Sequence, residues 1–218
     1  MLATGPGHGI QLVSGRLIVP VWLSTGTGGH AHRPSCVAVI YSDDHGKTWQ
    51  RGDIVVRDPD LANHSETIAV QLVDGKVMFN IRHEGKSHLR AMSVSADGAT
   101  RWSKPKLDEA LPEPVCMASI IRFPMYSTFD PPRLVFVNPN NATSRERKNV
   151  SARLSSDDGK TWAAAKTIEP GPSGYSDLAV TTKGTILCFY ERGAKEKAFR
   201  PQFLTVARFN LEWLTGRK

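Results

Sequence analysis

Two boxes of one form, Ser42-Asp43-Asp44-His45-Gly46-Lys47-Thr48-Trp49 and Ser155-Ser156-Asp157-Asp158-Gly159-Lys160-Thr161-Trp162, both fit Ser-x-Asp-x-Gly-x-Thr-Trp. They make this chain a repeat protein before anything else is read. In such a box Asp and Ser accept backbone N–H bonds in a tight turn, Gly takes a dihedral that other residues resist, and Trp is expected to anchor the turn by burying its ring. This is scaffold chemistry. A weaker copy, Ser95-Ala96-Asp97-Gly98-Ala99-Thr100-Arg101-Trp102, lies between them with its Gly one place early. Turns recurring at roughly 50 to 60 residues suggest the blades of a β-propeller.

Hairpin signals support that period. Leu12-Val13-Ser14-Gly15-Arg16-Leu17-Ile18, Leu72-Val73-Asp74-Gly75-Lys76-Val77-Met78 and Thr182-Lys183-Gly184-Thr185-Ile186-Leu187 each join two apolar runs through a Gly turn. Further β-rich runs cover Val37–Tyr41, Thr67–Leu72, Leu89–Val94, Leu134–Val137 and Phe203–Phe209. Helical periodicity is absent before Phe209–Leu214, so the chain reads as all-β, with one closing helical turn. At about 50 residues a blade the chain supplies about four, the lower limit for a closed propeller.

The 218 residues, 40% hydrophobic and 22% charged, are ample for a core. A formal charge of +7 raises the question of nucleic acid, but the Lys and Arg residues are scattered and form no stripe with aromatics. An anionic small ligand fits better, and no nucleic-acid partner is expected. Arg145-Glu146-Arg147-Lys148 is the one dense basic run. Cys36, Cys116 and Cys188 are odd in number, far apart and set mostly in apolar strands, which points to buried free thiols and to no zinc site. The N-terminal residues lack the basic start and apolar stretch of an export signal, and no apolar run is long enough to span a membrane.

Several catalytic patterns fall away. His83-Glu84-Gly85-Lys86-Ser87-His88 is one residue too long for a helical zinc motif and carries a Gly, and Gly171-Pro172-Ser173-Gly174-Tyr175 lacks the final Gly of a nucleophile elbow. His30-Ala31-His32 would place both rings on one face if extended, yet Gly28-Gly29 and Pro34 around it favour a polar loop. What remains is a set of ionisable residues at strand ends: Glu66, Arg82, Arg147, Tyr175 and Glu191.

Taken in this order with the Asp boxes, these segments resemble the C-terminal two-thirds of a bacterial-type exo-α-sialidase catalytic domain, from Gly5-Pro6-Gly7-His8 to Trp213-Leu214. The resemblance implies a sialidase-like β-propeller, six-bladed in the family, with residues 1–218 as part of a single domain. It implies hydrolysis of terminal sialic acids with retention. Tyr175 is then the nucleophile, and a neutral phenol suits a substrate whose anomeric carbon already bears a carboxylate. A phenol with an ordinary pKa near ~10 needs a base, and the resemblance gives that part to Glu66. Arg82 and Arg147 become two members of a three-arginine clamp on the sugar carboxylate, for which the planar guanidinium is suited. Glu191 matches the acidic residue that steadies the clamp's first arginine. No cofactor and no metal are implied, sialylated glycans are the partners, and a secreted or periplasmic setting is expected by family.

The chain also departs from the family. The first clamp arginine, in an Arg-Ile-Pro segment, and the acid/base aspartate of the next blade have no counterpart; Arg33-Pro34 lacks the middle residue, and Asp43 and Asp44 belong to a box. The expectation is an N-terminally truncated domain whose turnover falls below ordinary sialidase rates. The competing reading is a non-catalytic Asp-box propeller that binds glycan or protein. Sequons occur at Asn63, Asn141 and Asn149, two of them adjoin Glu66 and Arg147, and all are expected to stay unused.

Overall fold

A computed structural model describes residues 2–24, 26, 32–57, 59–193 and 200–216. His30 of the paired-histidine reading lies outside the described residues. The all-β expectation holds: among the described residues fifteen strands precede one short helix, α1 (Leu211–Thr215). Contacts divide the chain into two compact units, Met1–Glu109 and Ala110–Lys218.

In the first unit, β1 (Leu2–Thr4), β2 (Ile10–Gln11), β3 (Leu17–Ser24), β4 (Ser35–Ser42) and β5 (Gln50–Val56) form one sheet. A second sheet runs β6 (Thr67–Gln71), β7 (Val77–Ile81), β8 (Leu89–Ser95) and β9 (Lys106–Pro112) in sequence order. Such antiparallel meanders are what hairpin-linked blades require. Ile18, Val37, Val39, Phe79, Ile81 and Ala91 make the core between these strands. Full burial of a ring such as Phe79 is worth about 1.5–3 kcal/mol.

The second unit contains β10 (Ser119–Arg122), β11 (Leu134–Pro139), β12 (Lys148–Ser155), β13 (Ala164–Val180), β14 (Ile186–Arg192) and β15 (Phe203–Phe209), paired in that order. β13 is 17 residues long: its first half pairs with β12 and its second with β14. Val135, Val137, Val150, Ala152, Ile186 and Cys188 are fully buried here.

Each predicted hairpin closes in the same way. Leu12 N donates to Arg16 O, Leu72 N to Lys76 O and Thr181 N to Thr185 O, while Gly15, Gly75 and Gly184 take φ of 93°, 86° and 78°. A residue with a Cβ resists that region, which is why each turn carries Gly.

The boxes are built alike. Ser42 Oγ donates to Asp44 Oδ1 at 2.8 Å and accepts from Gly46 N at 2.8 Å, while Thr48 N and Oγ1 donate to the two Asp44 oxygens at 2.9 and 2.6 Å. Ser155, Asp157, Gly159 and Thr161 repeat this bond for bond. The short box keeps it with Ser95, Asp97, Gly98 and Thr100. These bonds hold the carboxylates below their usual range. Asp44, whose largest cause is the Thr48 hydroxyl, falls to about 2. At Asp97 burial works upward but is outweighed by bonds from Thr100 and Ala99.

The tryptophan anchor needs correction. Trp102 packs on Phe79 with centroids 4.1 Å apart and Trp162 on Phe136 at 5.7 Å, but Trp49 is 45% exposed. The hydrogen bonds, common to all three boxes, hold the turn whether or not the ring finds a pocket. Of the cysteines, Cys116 and Cys188 are buried and Cys36 is intermediate; all are free thiols. Among the described residues no helix is long and apolar enough to cross a membrane.

Candidate functional site

In each unit the box turns and the singled-out ionisable residues lie at opposite ends of the strands. Ser155 closes β12 and opens a box, whereas Arg147 immediately precedes β12. Ser95 closes β8 opposite Val77, the start of β7, whereas Arg82 immediately follows β7. One end is scaffold, and the singled-out residues lie at the other.

In the first unit, Glu66 and Arg82 extend the β6–β7 ladder by one step beyond Thr67↔Ile81. Arg82 N donates to Glu66 O at 3.0 Å and Ser65 N to Arg82 O at 3.1 Å. Directly opposed residues share a face, so the side chains meet, and Arg82 NH1 forms an ion pair with Glu66 Oε2. Both are largely withdrawn from solvent, at 14% and 11% side-chain exposure. The segment before Glu66 is pinned by fully buried His64, whose ring nitrogens reach Leu61 O at 2.9 Å and Val56 O at 2.8 Å. Burial pushes the imidazole of His83, next to Arg82, below its usual pKa; Nδ1 accepts from Gly85 N at 2.9 Å and Nε2 faces Leu89 O.

In the second unit, Arg147, Tyr175 and Glu191 come together. The Arg147 guanidinium lies over the Tyr175 ring, 4.9 Å from its centroid, and Tyr175 N donates to Glu191 Oε2 at 2.9 Å. Tyr175 stands where the β13–β14 register slips between Ser173↔Arg192 and Ser176↔Tyr190. Such an irregularity re-aims a side chain that a regular strand would fix. Arg147 O accepts from Ser173 N, and buried Ser173 donates its hydroxyl to Gly171 O while accepting from Val150 N at 2.9 Å. The guanidinium also donates to Val115 O at 3.3 Å. Val115 has φ of 58°, a rare conformation for a β-branched residue, and it turns that carbonyl toward the arginine.

Tyr190 gives the contrast. It is 4% exposed, its hydroxyl donates to Glu169 at 2.9 Å, and burial together with that bond pushes it up to about 12. A phenol so held is structural, whereas Tyr175 is only half-buried. The sequon side chains are likewise engaged: Asn63 bonds Glu84, Asn141 bonds Ser144 and Glu146, and Asn149 accepts from Gly171 N.

Among the described residues, one open cleft in each unit lies at the scaffold end. The first, of about 550 Å³, is lined by Arg16, Asp43 and Asp97; the second, of about 500 Å³, by Phe123, Tyr126 and Lys183. Neither is lined by any of the five residues. Sequence reasoning singles out those five but neither Val115 nor Glu84, which the structure places beside them. Nothing in Pro114-Val115-Cys116 signals a strained carbonyl, and Glu84 was read only as part of a failed zinc motif.

A family model described as a BNR repeat-like domain matches residues 1–188. The chain is 35% identical over 215 residues to a sialidase of Micromonospora viridifaciens, which covers 96% of this chain and 30% of that protein. It is 30% identical over 204 residues to a sialidase of Bacteroides fragilis, covering 91% and 35%. The chain therefore spans only a minor part of the length of these relatives. Among solved structures, the Hadza microbial sialidase Hz136 superposes with a TM-score of 0.79 at 25% identity, covering 98% of this chain and 38% of that one.

Proposed function

The chain belongs to the BNR-repeat sialidase family, and from that premise we propose that residues 1–218 form part of a single exo-α-sialidase catalytic domain acting on terminal sialic acids with retention. The observation that carries this reading is Tyr175, set under the Arg147 guanidinium with its backbone N–H fixed by Glu191. A cation over the ring favours negative charge as it builds on the phenol oxygen.

In the proposed reaction Tyr175 Oη attacks the anomeric carbon as Glu66 takes the phenolic proton, and the bond to the leaving oxygen breaks, that oxygen taking its proton from solvent. Water then attacks the anomeric carbon of the glycosyl-tyrosine and gives one proton to solvent, while Glu66 returns its proton to the departing phenolate, so that two inversions give net retention. Arg82 and Arg147 bind the sugar carboxylate, for which their fixed N–H forks are matched. Glu191 positions Tyr175 through the backbone.

A sialosyl fluoride with a second fluorine at C3 tests this without calling on a general acid, because fluoride leaves unprotonated and the C3 fluorine slows breakdown of the adduct. Mass spectrometry is expected to find one glycosyl unit on the peptide containing Tyr175, and none in Tyr175→Phe. Absence of the adduct in folded protein, or its presence on another residue, overturns the assignment and leaves the non-catalytic binding propeller.

A further inference from the structure

Beside the Glu66–Arg82 pair lies a second polar group that the reaction does not use. Glu84 follows Arg82 by two residues, and its side chain is only 14% exposed. Its Oε1 accepts from Arg33 NH2 at 2.6 Å and its Oε2 from Asn63 Nδ2 at 3.3 Å. Asn63 lies three residues before Glu66, and Glu84 N donates to Ala62 O at 2.7 Å, so the two segments that carry Glu66 and Arg82 are stitched together here. Arg33 arrives from a third segment, just before β4, and Ser35 Oγ fastens that segment by donating to His64 O at 2.8 Å. All of these contacts fall within the first unit.

Arg33 is both exposed and braced. Its side chain is 47% exposed, yet its guanidinium is held by a largely buried carboxylate. Its other N–H groups bond to no further partner among the described residues. An exposed arginine ordinarily samples many rotamers and loses that freedom on binding, whereas one fixed in advance presents its donors at lower cost. Charge alone would not need this bracing. Fixed donors serve a ligand whose acceptors stand in a set geometry, as the hydroxyl and ring oxygens of a sugar do.

The geometry points to Arg33 as the residue that contacts the sugar next to the sialic acid, the leaving-group side of the substrate, with Glu84 as its positioning residue. The inference rests on the sialidase reading, because an exo-acting site encloses the terminal sugar and leaves the following one at its rim. Arg33 would donate to hydroxyls of that second sugar and so favour an oligosaccharide over the free monosaccharide.

Calorimetric titration of the chain with N-acetylneuraminic acid and with 3′-sialyllactose decides it. Arg33→Ala is expected to leave the monosaccharide affinity within about twofold and to weaken the trisaccharide about tenfold, as loss of a charge-assisted bond implies. Glu84→Gln, which releases Arg33, should reproduce the selective loss in part. Equal weakening of both sugars, or of neither, overturns the role of Arg33 while sialic-acid binding by the parent chain keeps the underlying reading intact. A parent chain that binds neither sugar removes both.

Discussion

The Arg147 guanidinium stacks over the Tyr175 ring at 4.9 Å while it donates to Val115 O at 3.3 Å, so one side chain ties a strained carbonyl to a phenol. A flat cation can serve both contacts at once, but a spherical one cannot. Arg147→Lys keeps the charge and loses the fork. Adduct formation at Tyr175 with the fluorosugar should slow about tenfold or more, a barrier change of about 1.4 kcal/mol. An unchanged labelling rate would show that the stack plays no part.

Glu66 and Arg82 form an ion pair that is largely out of water. Removing one partner from such a pair strands the other, at a typical cost of about 3–5 kcal/mol. Glu66→Gln and Arg82→Met should each lower stability in urea unfolding by roughly 3 kcal/mol, discounted where residual exposure screens the charge. The double variant should lose less than the sum. Strict additivity would mean that the pair does not couple in solution.

The box carboxylates Asp44, Asp97 and Asp157 all titrate below their usual range. A depressed folded-state pKa contributes stability above the unfolded value, near 3.8, and loses it as pH falls through the folded value, about 2 for Asp44. Stability should therefore fall from about pH 4 toward pH 2. Asp44→Asn should be less stable at neutral pH and show a flatter decline across that window. A parallel decline in parent and variant would place the acid sensitivity elsewhere.

Gly52 faces a backbone rather than a flexible side chain. A Cβ built there would stand 2.5 Å from Ala99 O and 2.5 Å from Val39 Cγ1. Because Asp53 N already donates to Ala99 O at 2.8 Å, the carbonyl cannot withdraw without breaking that bond. Gly52→Ala should cost about 1–3 kcal/mol in chemical denaturation, as overpacking does. Gly75→Ala meets no atom within 4 Å, so its cost comes from its φ of +86° alone.

What the sequence disclosed was whatever depends on near neighbours. Ser42, Asp44, Gly46 and Thr48 bond one another, so their spacing carries the turn in full. The hairpins at Gly15, Gly75 and Gly184 were legible for the same reason. Trp49 was misjudged because burial of a ring depends on distant partners, which Trp102 finds in Phe79 and Trp162 in Phe136. Glu66, Arg82, Arg147, Tyr175 and Glu191 were reached through family order rather than periodicity. That order does not report that Glu84 binds Arg33 across |i−j| of 51, or that Val115 turns its carbonyl toward Arg147 across |i−j| of 32.

β13 runs without a break from Ala164, two residues beyond Trp162 of the last box, through Tyr175 to Val180. It acts as a measuring rod between a turn that performs no chemistry and the phenol proposed to perform it. Each residue added or removed along the rod would carry Tyr175 about 3.3 Å along the strand and reverse the face it points to. Its slack lies where the register slips: between Thr167 and Glu169 and between Glu169 and Pro172 against β12, and between Ser173 and Ser176 against β14. Length tolerance in this protein should therefore be found in the box loops, the hairpin tips and those slips, with almost none in the regular stretches of β13.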